Sequence, residues 1–195
     1  MNLKACIPLG TFLLASALFA CHQAAPKEEQ QQSAATVALQ APYSQVFYDS
    51  LQVTMQAYYQ LSAAFVKADS TAATAAGAAL KQHVDSLPVH TLQMDSSHLG
   101  NITGITGSIS AELTGLAGEA GLEGKRASFQ MVSDMLFDLL KSTGLKGQTI
   151  YHQYCPMAFE DKGAYWLSDK AEIQNPYFGH KMLSCGETRD TLIYK

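Results

Sequence analysis

The sequence has little charge and no excess of positive charge. Lysine and arginine total 13 residues and aspartate and glutamate 17, so the net charge is −4, and charged residues are only 15% of the chain. A nucleic-acid-binding surface needs a concentrated positive field, which this composition does not supply. We therefore expect no nucleic-acid partner.

Several motifs that would identify an enzyme or a cofactor site are absent from the sequence. It contains neither a Cys-x-x-Cys-His haem motif nor the paired Glu-x-x-His motifs of a di-iron helical bundle. It also lacks a phosphate-binding loop, a nucleophile–base pattern and a catalytic pair of acids. The sequence therefore predicts a protein that is not an enzyme.

The first 21 residues have the features of a processing segment rather than of a folded domain. Lys4 supplies a positive charge, and residues 7–19 form an apolar run too short for a typical membrane-spanning helix. Residues 18–21, Leu-Phe-Ala-Cys, resemble a bacterial lipobox. We expect residues 1–20 to be a lipoprotein signal peptide and Cys21 to carry the acyl chains of a membrane anchor. An ordinary signal peptide and an uncleaved anchor are the alternatives.

Residues 22–41 are polar, rich in glutamine and without periodicity. Such a composition buries too little apolar surface to offset the entropy of ordering. Residues 21–41 are therefore predicted to be an acylated cysteine and a flexible tether. Because His22 rather than aspartate follows Cys21, the outer membrane is the favoured destination. We expect the protein in the cell envelope, facing the periplasm.

Four amphipathic helices are predicted downstream of this tether. Apolar side chains recur there at intervals of three and four residues, which is typical of helices with one buried face. The predicted helices span residues 42–68, residues 71–87 before Pro88, a stretch beginning at Ser96 or Ser97, and residues 125–142 before Gly144. The predicted buried positions are Phe47, Leu51, Met55, Tyr58, Leu61, Phe65, Ala72, Ala76, Ala79, Leu80, Val84, Leu87, Leu99, Ile102, Ile105, Ile109, Leu113, Leu116, Phe129, Val132, Leu136 and Leu139.

Short connections between these helices favour antiparallel neighbours. The sequence therefore predicts a mainly α fold, an antiparallel four-helix bundle followed by a small C-terminal motif of strand, loop and helix. We expect residues 42–195 to form this single domain.

The C-terminal motif holds two Cys–Met pairs. Pro156 disfavours the α conformation for the preceding residue, so the Cys-Pro-Met run is predicted to be extended, with Cys155 and Met157 on one face. Residues 163–168 alternate like a strand. A short helix is then predicted over residues 177–185, and Met182 and Cys185 would share one of its faces. Asn175 is its predicted N-cap, Pro176 its first position and Gly186 its terminator.

Three interpretations of Cys155 and Cys185 stay open. In an oxidising compartment the two cysteines of a secreted domain commonly form a disulfide, worth about 3–4 kcal/mol for a loop of this length. Thiolate and thioether ligands together select Cu(I), and a disulfide leaves the two methionines without a role. A third interpretation adds His152 and His180 to the cysteines as a zinc site.

Three segments carry a resemblance to a known family. They are Tyr151-x-x-Tyr154-Cys155-Pro156-Met157-Ala158, then Gly163-Ala164-Tyr165-Trp166-Leu167-Ser168, and Ile173-x-Asn175-Pro176-Tyr177-Phe178-Gly179-x-x-Met182-Leu183-x-Cys185-Gly186. This pattern resembles an uncharacterised bacterial domain, a domain of unknown function that occurs in lipoproteins and fused to periplasmic adaptor subunits of copper/silver-type RND efflux systems. The resemblance extends over roughly residues 43–195.

The resemblance implies metal handling, with Cys155, Met157, Met182 and Cys185 at the matching positions. It also implies an efflux adaptor or another periplasmic metal-handling protein as partner. The expected function is therefore that of a lipid-anchored protein that binds copper, as Cu(I), and buffers it or passes it to efflux machinery. Zinc is the alternative ion. The alternative function is a disulfide-stabilised interaction module that docks on an efflux adaptor and binds no metal.

Overall fold

The computed structural model describes residues 42–195, and this part of the chain is mainly helical. Four long helices come first, and three short strands follow. The helices are α1 Gln45–Val66, α2 Ser70–Asp85, α3 Ser96–Gly118 and α4 Leu122–Thr143; the strands are β1 Thr149–Cys155, β2 Ala164–Ser168 and β3 Glu187–Ile193. The predicted signal peptide, the acylation site Cys21 and the tether lie outside the described residues.

Side-chain caps begin three of the helices. The Ser44 hydroxyl accepts a hydrogen bond from the Phe47 N–H at the start of α1, and the Asp69 carboxylate does the same for Ala72 at the start of α2. Asp95, rather than Ser96 or Ser97, caps α3. Such caps satisfy backbone N–H groups that have no partner within the helix. The helix boundaries therefore follow local chemistry.

The predicted helical stripes form the core, with one change of face. In α1 all six predicted positions are buried, and so are all four in α4. In α3 four of the six are buried, while Leu99 and Ile105 are partly buried. In α2 the buried face contains Ala73 and Gly77 instead of the predicted Ala72 and Ala76, and the predicted Ala79 is only partly buried. A Cβ atom on Gly77 would lie 3.1 Å from the Leu116 side chain, so only a small residue fits there.

Successive helices pack against one another, α1 on α2, α2 on α3 and α3 on α4. Aromatic side chains also join the first helix to the last. The Phe129 ring of α4 lies 5.2 Å from the Tyr58 ring and 5.0 Å from the Phe65 ring of α1, measured between centroids. The Tyr58 hydroxyl lies 2.7 Å from the Ser133 hydroxyl. The apolar faces of α1 and α4 therefore belong to the same core.

The three strands form an antiparallel sheet in the order β2-β1-β3. Strand β2 packs against α4. Two tyrosine hydroxyls tie the sheet region to the helices. The Leu167 N–H of β2 donates a 3.0 Å hydrogen bond to the Tyr58 hydroxyl, and the Tyr194 hydroxyl donates a 2.8 Å bond to the Leu140 carbonyl of α4.

The predicted C-terminal helix over residues 177–185 is wrong. Within that stretch the structure has only one 3₁₀ turn, Gly179–Lys181, and Met182 has φ −150°. Gly179 has φ +56°, and a Cβ atom on it would lie 2.6 Å from the Val66 carbonyl oxygen. Close packing against the end of α1 therefore imposes a left-handed residue that breaks the helix. Strand β3, which follows this segment, was not among the predicted elements.

No helix within residues 42–195 combines the length and apolar character needed to cross a membrane.

Candidate functional site

The two cysteines of the C-terminal region lie side by side. Their Sγ atoms are 3.2 Å apart, although the residues are separated by 30 positions in sequence. Cys155 is the last residue of β1 and is fully buried, whereas Cys185 is half-buried. Both are free thiols in the structure. The thiol pair, Cys155 and Cys185, therefore has one protected sulfur and one that solvent can approach.

Asn175 positions the segment that carries Cys185. This side chain is fully buried, and its amide nitrogen donates a 2.7 Å hydrogen bond to the Cys185 carbonyl. Its side-chain oxygen accepts hydrogen bonds from the N–H groups of Tyr177 and Phe178, at 2.8 and 3.2 Å. These two bonds are the capping contacts predicted for Asn175, although the chain continues as turns. One side chain thus holds both ends of the loop over residues 175–185.

Gly186 allows the loop to approach β1. Its φ is +139°, and a Cβ atom there would lie 2.7 Å from the Tyr154 carbonyl oxygen and 2.8 Å from the Trp166 ring. Tyr154 precedes Cys155, so the close approach at Gly186 brings Cys185 alongside the end of β1. A side chain at residue 186 would push the two sulfurs apart.

Aromatic rings pack beneath the thiol pair. Trp166, almost fully buried, meets the Tyr177 ring edge to face with a centroid distance of 6.0 Å. Tyr177 also lies 6.0 Å from Phe129 of α4, and its hydroxyl donates a short hydrogen bond to the Tyr165 carbonyl. The segment bearing Cys185 is therefore anchored to both the sheet and the helices.

The two methionines do not have the predicted local geometry. Met157 follows the end of β1 in an α-like conformation, φ −89° and ψ −6°, and its side chain is 46% exposed. Cys155 is buried, so the prediction that the two share a face of one extended segment is wrong. Met182 is half-buried in the loop, and its carbonyl accepts a 3.1 Å hydrogen bond from the Cys185 N–H. It does not share a helical face with Cys185, because the helix is absent.

His152 lies on the other face of β1 from Cys155. Its ring is stacked between Phe137 and Tyr165, at centroid distances of 3.8 and 4.4 Å. Burial lowers the pKa of His152 to about 4, so the imidazole is neutral at physiological pH. A β-bulge follows His152 on β1, and the stack holds its ring between Phe137 of α4 and Tyr165 of β2. His180 is exposed on the 3₁₀ turn, so the structure does not bring the four predicted zinc ligands together.

The chemistry of the thiol pair follows from its separation. Sulfurs 3.2 Å apart need an approach of about 1 Å to reach disulfide bonding distance, and a similar outward movement would admit a soft ion between them. Cys155 raises the pKa of Cys185 above its ordinary value through their hydrogen bond.

Within residues 42–195 no three His, Cys, Asp or Glu side chains form a group that could hold a metal ion. A metal at the thiol pair would therefore have the two cysteines as its only ligands of those four types.

Sequence reasoning missed Arg126 as a residue of this region. It is 9% exposed and joins α4 to the loop that carries Cys185, because its Nε donates a 2.9 Å hydrogen bond to the Pro176 carbonyl. The sequence did contain a signal for Arg126, because it lies on the buried side of a predicted amphipathic helix. Arginine is almost never buried without a partner, so this position indicates a polar contact there.

Taken together, these features define a helical domain with a small C-terminal sheet and a dithiol at the end of its central strand. Residues 54–148 match a domain family described as a protein of unknown function (DUF3347). A domain of unknown function is what the resemblance predicted, but the matched range covers the helices and ends before β1. No curated protein and no solved structure matches the chain.

Proposed function

We propose that this chain is a soft-metal-binding protein in which Cys155 and Cys185 bind Cu(I). The observation that supports the proposal is the 3.2 Å separation of the two sulfur atoms, which come from distant parts of the sequence. The Asn175 side chain and the close approach at Gly186 hold the sulfurs at this separation. Thiolates are the ligands that Cu(I) prefers, and two thiolates provide the first ligands of its coordination shell. One half-exposed sulfur gives an ion a route to the buried one.

Methionine thioethers complete the proposed ligand shell. Met157 is exposed two residues beyond Cys155, and Met182 is half-buried three residues before Cys185. Neither lies in regular secondary structure, so each side chain can rotate towards a bound ion without breaking a helix or strand. Thioethers are neutral, and we expect them to add less affinity than the thiolates do. His152 has no part in this site.

The helices are the proposed scaffold, packed as an antiparallel four-helix bundle. We propose that the protein is anchored by acyl chains on Cys21 in the cell envelope, facing the periplasm, with the outer membrane favoured. In that place it would buffer copper or pass it to an efflux adaptor. The family resemblance of the Cys-Pro-Met and Met-Leu-Ser-Cys segments supports this role.

The same sulfur separation also supports a second candidate function. In an oxidising compartment the thiol pair would close to a disulfide, and the chain would be a disulfide-stabilised module that docks on an efflux adaptor. Closing this loop would stabilise the fold by about 3–4 kcal/mol. Exposed Met157 and Leu183, on the two segments that carry the cysteines, favour a contact surface there.

A Cu(I) competition titration tests the first proposal. Protein purified and reduced under anaerobic conditions is titrated with Cu(I) against a coloured Cu(I) chelator, and one equivalent should bind. Cys155→Ser and Cys185→Ser should each weaken binding at least about 100-fold, because a charged ligand is lost. Met157→Leu and Met182→Leu should have smaller effects. Met131→Leu, an equally exposed methionine on α4, is the matched control and should have none.

The outcomes separate the candidates. Equal affinity of the wild type and the double serine variant would exclude a thiolate site. If protein purified without reductant then contains no titratable thiol, the disulfide module is the better account. A parallel titration with Zn²⁺, repeated with His152→Gln and His180→Gln, tests the zinc alternative, which requires both histidines to matter.

A further inference from the structure

A cavity of about 340 Å³ lies beside the loop that carries Cys185. Its walls come from the start of α4, from Ala68 two residues beyond the end of α1, and from two C-terminal loops. Apolar side chains form most of the wall, chiefly Leu122, Phe159 and Phe178, each of them half-buried. A volume of this size suits a small molecule of one ring or a short chain.

Arg126 forms the charged end of the cavity. Its Nε donates to the Pro176 carbonyl at 2.9 Å, and its Nη2 donates to the Phe65 carbonyl at 3.2 Å. A guanidinium has five N–H groups, so three are not used in these two hydrogen bonds. The Nη1 atom lies 3.9 Å from the Glu123 carboxylate, which is 75% exposed. Arg126 is thus fixed in place by two carbonyls and retains donors on its cavity side.

The cavity carries an excess of positive charge. Lys181 and His180, both exposed, also line the cavity, and Glu123 is the only acidic side chain in the wall among the described residues. The charges of Arg126, Lys181 and Glu123 sum to +1. This charge balances a singly charged anion, whereas Glu123 repels a doubly charged phosphate about twice as strongly. Burial has removed water from the Arg126 guanidinium, and a bound anion would offset this loss of hydration.

Unfavourable backbone conformations surround the cavity. Ala68 has φ +55° and Phe159 has φ +52°, and both residues line it. Glu160 and Asp161 continue the left-handed turn with φ +58° and +63°. Left-handed conformations are unfavourable for residues other than glycine and are concentrated at binding sites.

The geometry points to a binding site for a small monocarboxylate with an apolar or aromatic body. The carboxylate would pair with the free N–H groups of Arg126, because a planar guanidinium matches a carboxylate with two parallel hydrogen bonds. The apolar body would lie against Leu122, Phe159 and Phe178. Lys181 would close the rim over the ligand. The inference is independent of metal binding at the thiol pair.

A titration with 3-phenylpropionate, followed by two-dimensional amide NMR of the full chain, tests this inference. Saturable shifts should be confined to residues 122–126, 158–161 and 176–181, with a dissociation constant of about 1–10 mM for so small a probe. The neutral 3-phenylpropionamide should bind at least about tenfold more weakly, because a charge-assisted pair is replaced by a neutral one. Inorganic phosphate should bind more weakly than the carboxylate.

Matched variants decide the location. Lys181→Gln should weaken binding about threefold by removing one partly exposed charge, and Leu122→Trp should abolish it by filling the cavity. Lys170→Gln, an exposed lysine outside the cavity, should leave binding unchanged. Arg126→Lys should weaken binding of the carboxylate at least tenfold, but this substitution also affects folding. Leu122→Trp is therefore the deciding variant, provided that its thermal unfolding transition is retained. The inference fails if the carboxylate does not saturate, if Leu122→Trp still binds it, or if phosphate binds more tightly.

Discussion

The side-chain amide of Asn175 donates a 2.7 Å hydrogen bond to the backbone carbonyl of Cys185, ten residues further along the chain. The backbone N–H of Asn175 also donates to the Leu183 carbonyl at 2.8 Å. Its side-chain oxygen also accepts hydrogen bonds from the N–H groups of Tyr177 and Phe178. This buried residue therefore satisfies backbone groups at both ends of one loop. The position of the Cys185 sulfur therefore depends on a residue that would not itself touch a bound metal.

Asn175→Ala should lower the free energy of unfolding by about 2–3 kcal/mol, because a buried carbonyl and two N–H groups lose their partners. It should also release Cys185, which then reacts faster with iodoacetamide. Urea denaturation and the alkylation rate, followed by mass spectrometry, measure the two effects. Asn101→Ala, at an exposed position on α3, is the control and should change neither. Unchanged alkylation in Asn175→Ala would show that the loop holds its shape without this side chain.

Gly186→Ala should separate the two sulfurs. The added Cβ would meet the Tyr154 carbonyl at 2.7 Å, and φ of +139° is unfavourable for alanine. We expect a loss of about 2 kcal/mol or more in stability and slower formation of the Cys155–Cys185 disulfide under mild oxidation. Thiol titration during oxidation by oxidised glutathione gives the rate. Gly147→Ala, also at positive φ but with open space around it, is the matched control for the effect of backbone conformation alone.

His152 should make stability fall in acid. Its folded-state pKa is about 4 against 6.5 for the free side chain, so the unfolded chain binds the proton more readily. The stabilisation is present above about pH 6.5 and is lost as the pH falls towards 4, by about 1–2 kcal/mol after allowance for solvent screening.

His152→Phe keeps the stack with Phe137 and Tyr165 and should remove this loss. The quantity to measure is the difference in unfolding free energy between variant and wild type at pH 7, 5.5 and 4. That difference matters because Asp134, with a pKa raised by burial to about 6, titrates in the same range with the opposite sign. A difference that stays constant across the series would contradict the assignment. His90→Gln, at an exposed histidine, is the matched control.

Glycines on the exposed face of α3 should be replaceable with a gain in stability. Gly104 and Gly107 are exposed, and nothing lies within 4 Å of a Cβ atom built on either. Alanine at each position should add about 0.5–1 kcal/mol, because glycine loses more backbone entropy in a helix. Denaturation midpoints measure the gain. Gly77→Ala in α2 is the counter-example, since its Cβ meets Leu116 at 3.1 Å and we expect no gain.

The long helices could be predicted from sequence because their evidence is local. In α1 large side chains such as Phe47 and Leu51 contrast with polar neighbours, so the buried face is unambiguous. In α2 the candidates are nearly all alanine, and without a contrast in size the pattern cannot distinguish Ala72 from Ala73. The choice is made by Gly77, whose missing side chain admits Leu116 of α3.

The C-terminal region is set by contacts between distant residues, and there the prediction failed. Asn175 and Pro176 are good helix-starting signals, but contact between Gly179 and the end of α1 stops a helix before it completes a turn. Met157 follows a real strand, yet the chain turns immediately after Cys155. The sequence left a disulfide, a Cu(I) site and a zinc site as alternatives for the two cysteines. It does not show that Gly186 allows the loop bearing Cys185 to approach the end of β1.

The tyrosine hydroxyls that tie the sheet region to the helices have a consequence at high pH. Burial raises the pKa of Tyr194 to about 12 and the pKa of Tyr58 further still. The Tyr194 hydroxyl must keep its proton to donate to Leu140, and the Tyr58 oxygen is buried beside Ser133 and Leu167. Stability is therefore present below about pH 10, the ordinary tyrosine pKa, and is lost as the pH rises further. In an alkaline titration followed by ultraviolet absorbance, the Tyr194 phenolate should therefore form well above pH 10, and the contact between the helices and the sheet should weaken over the same range.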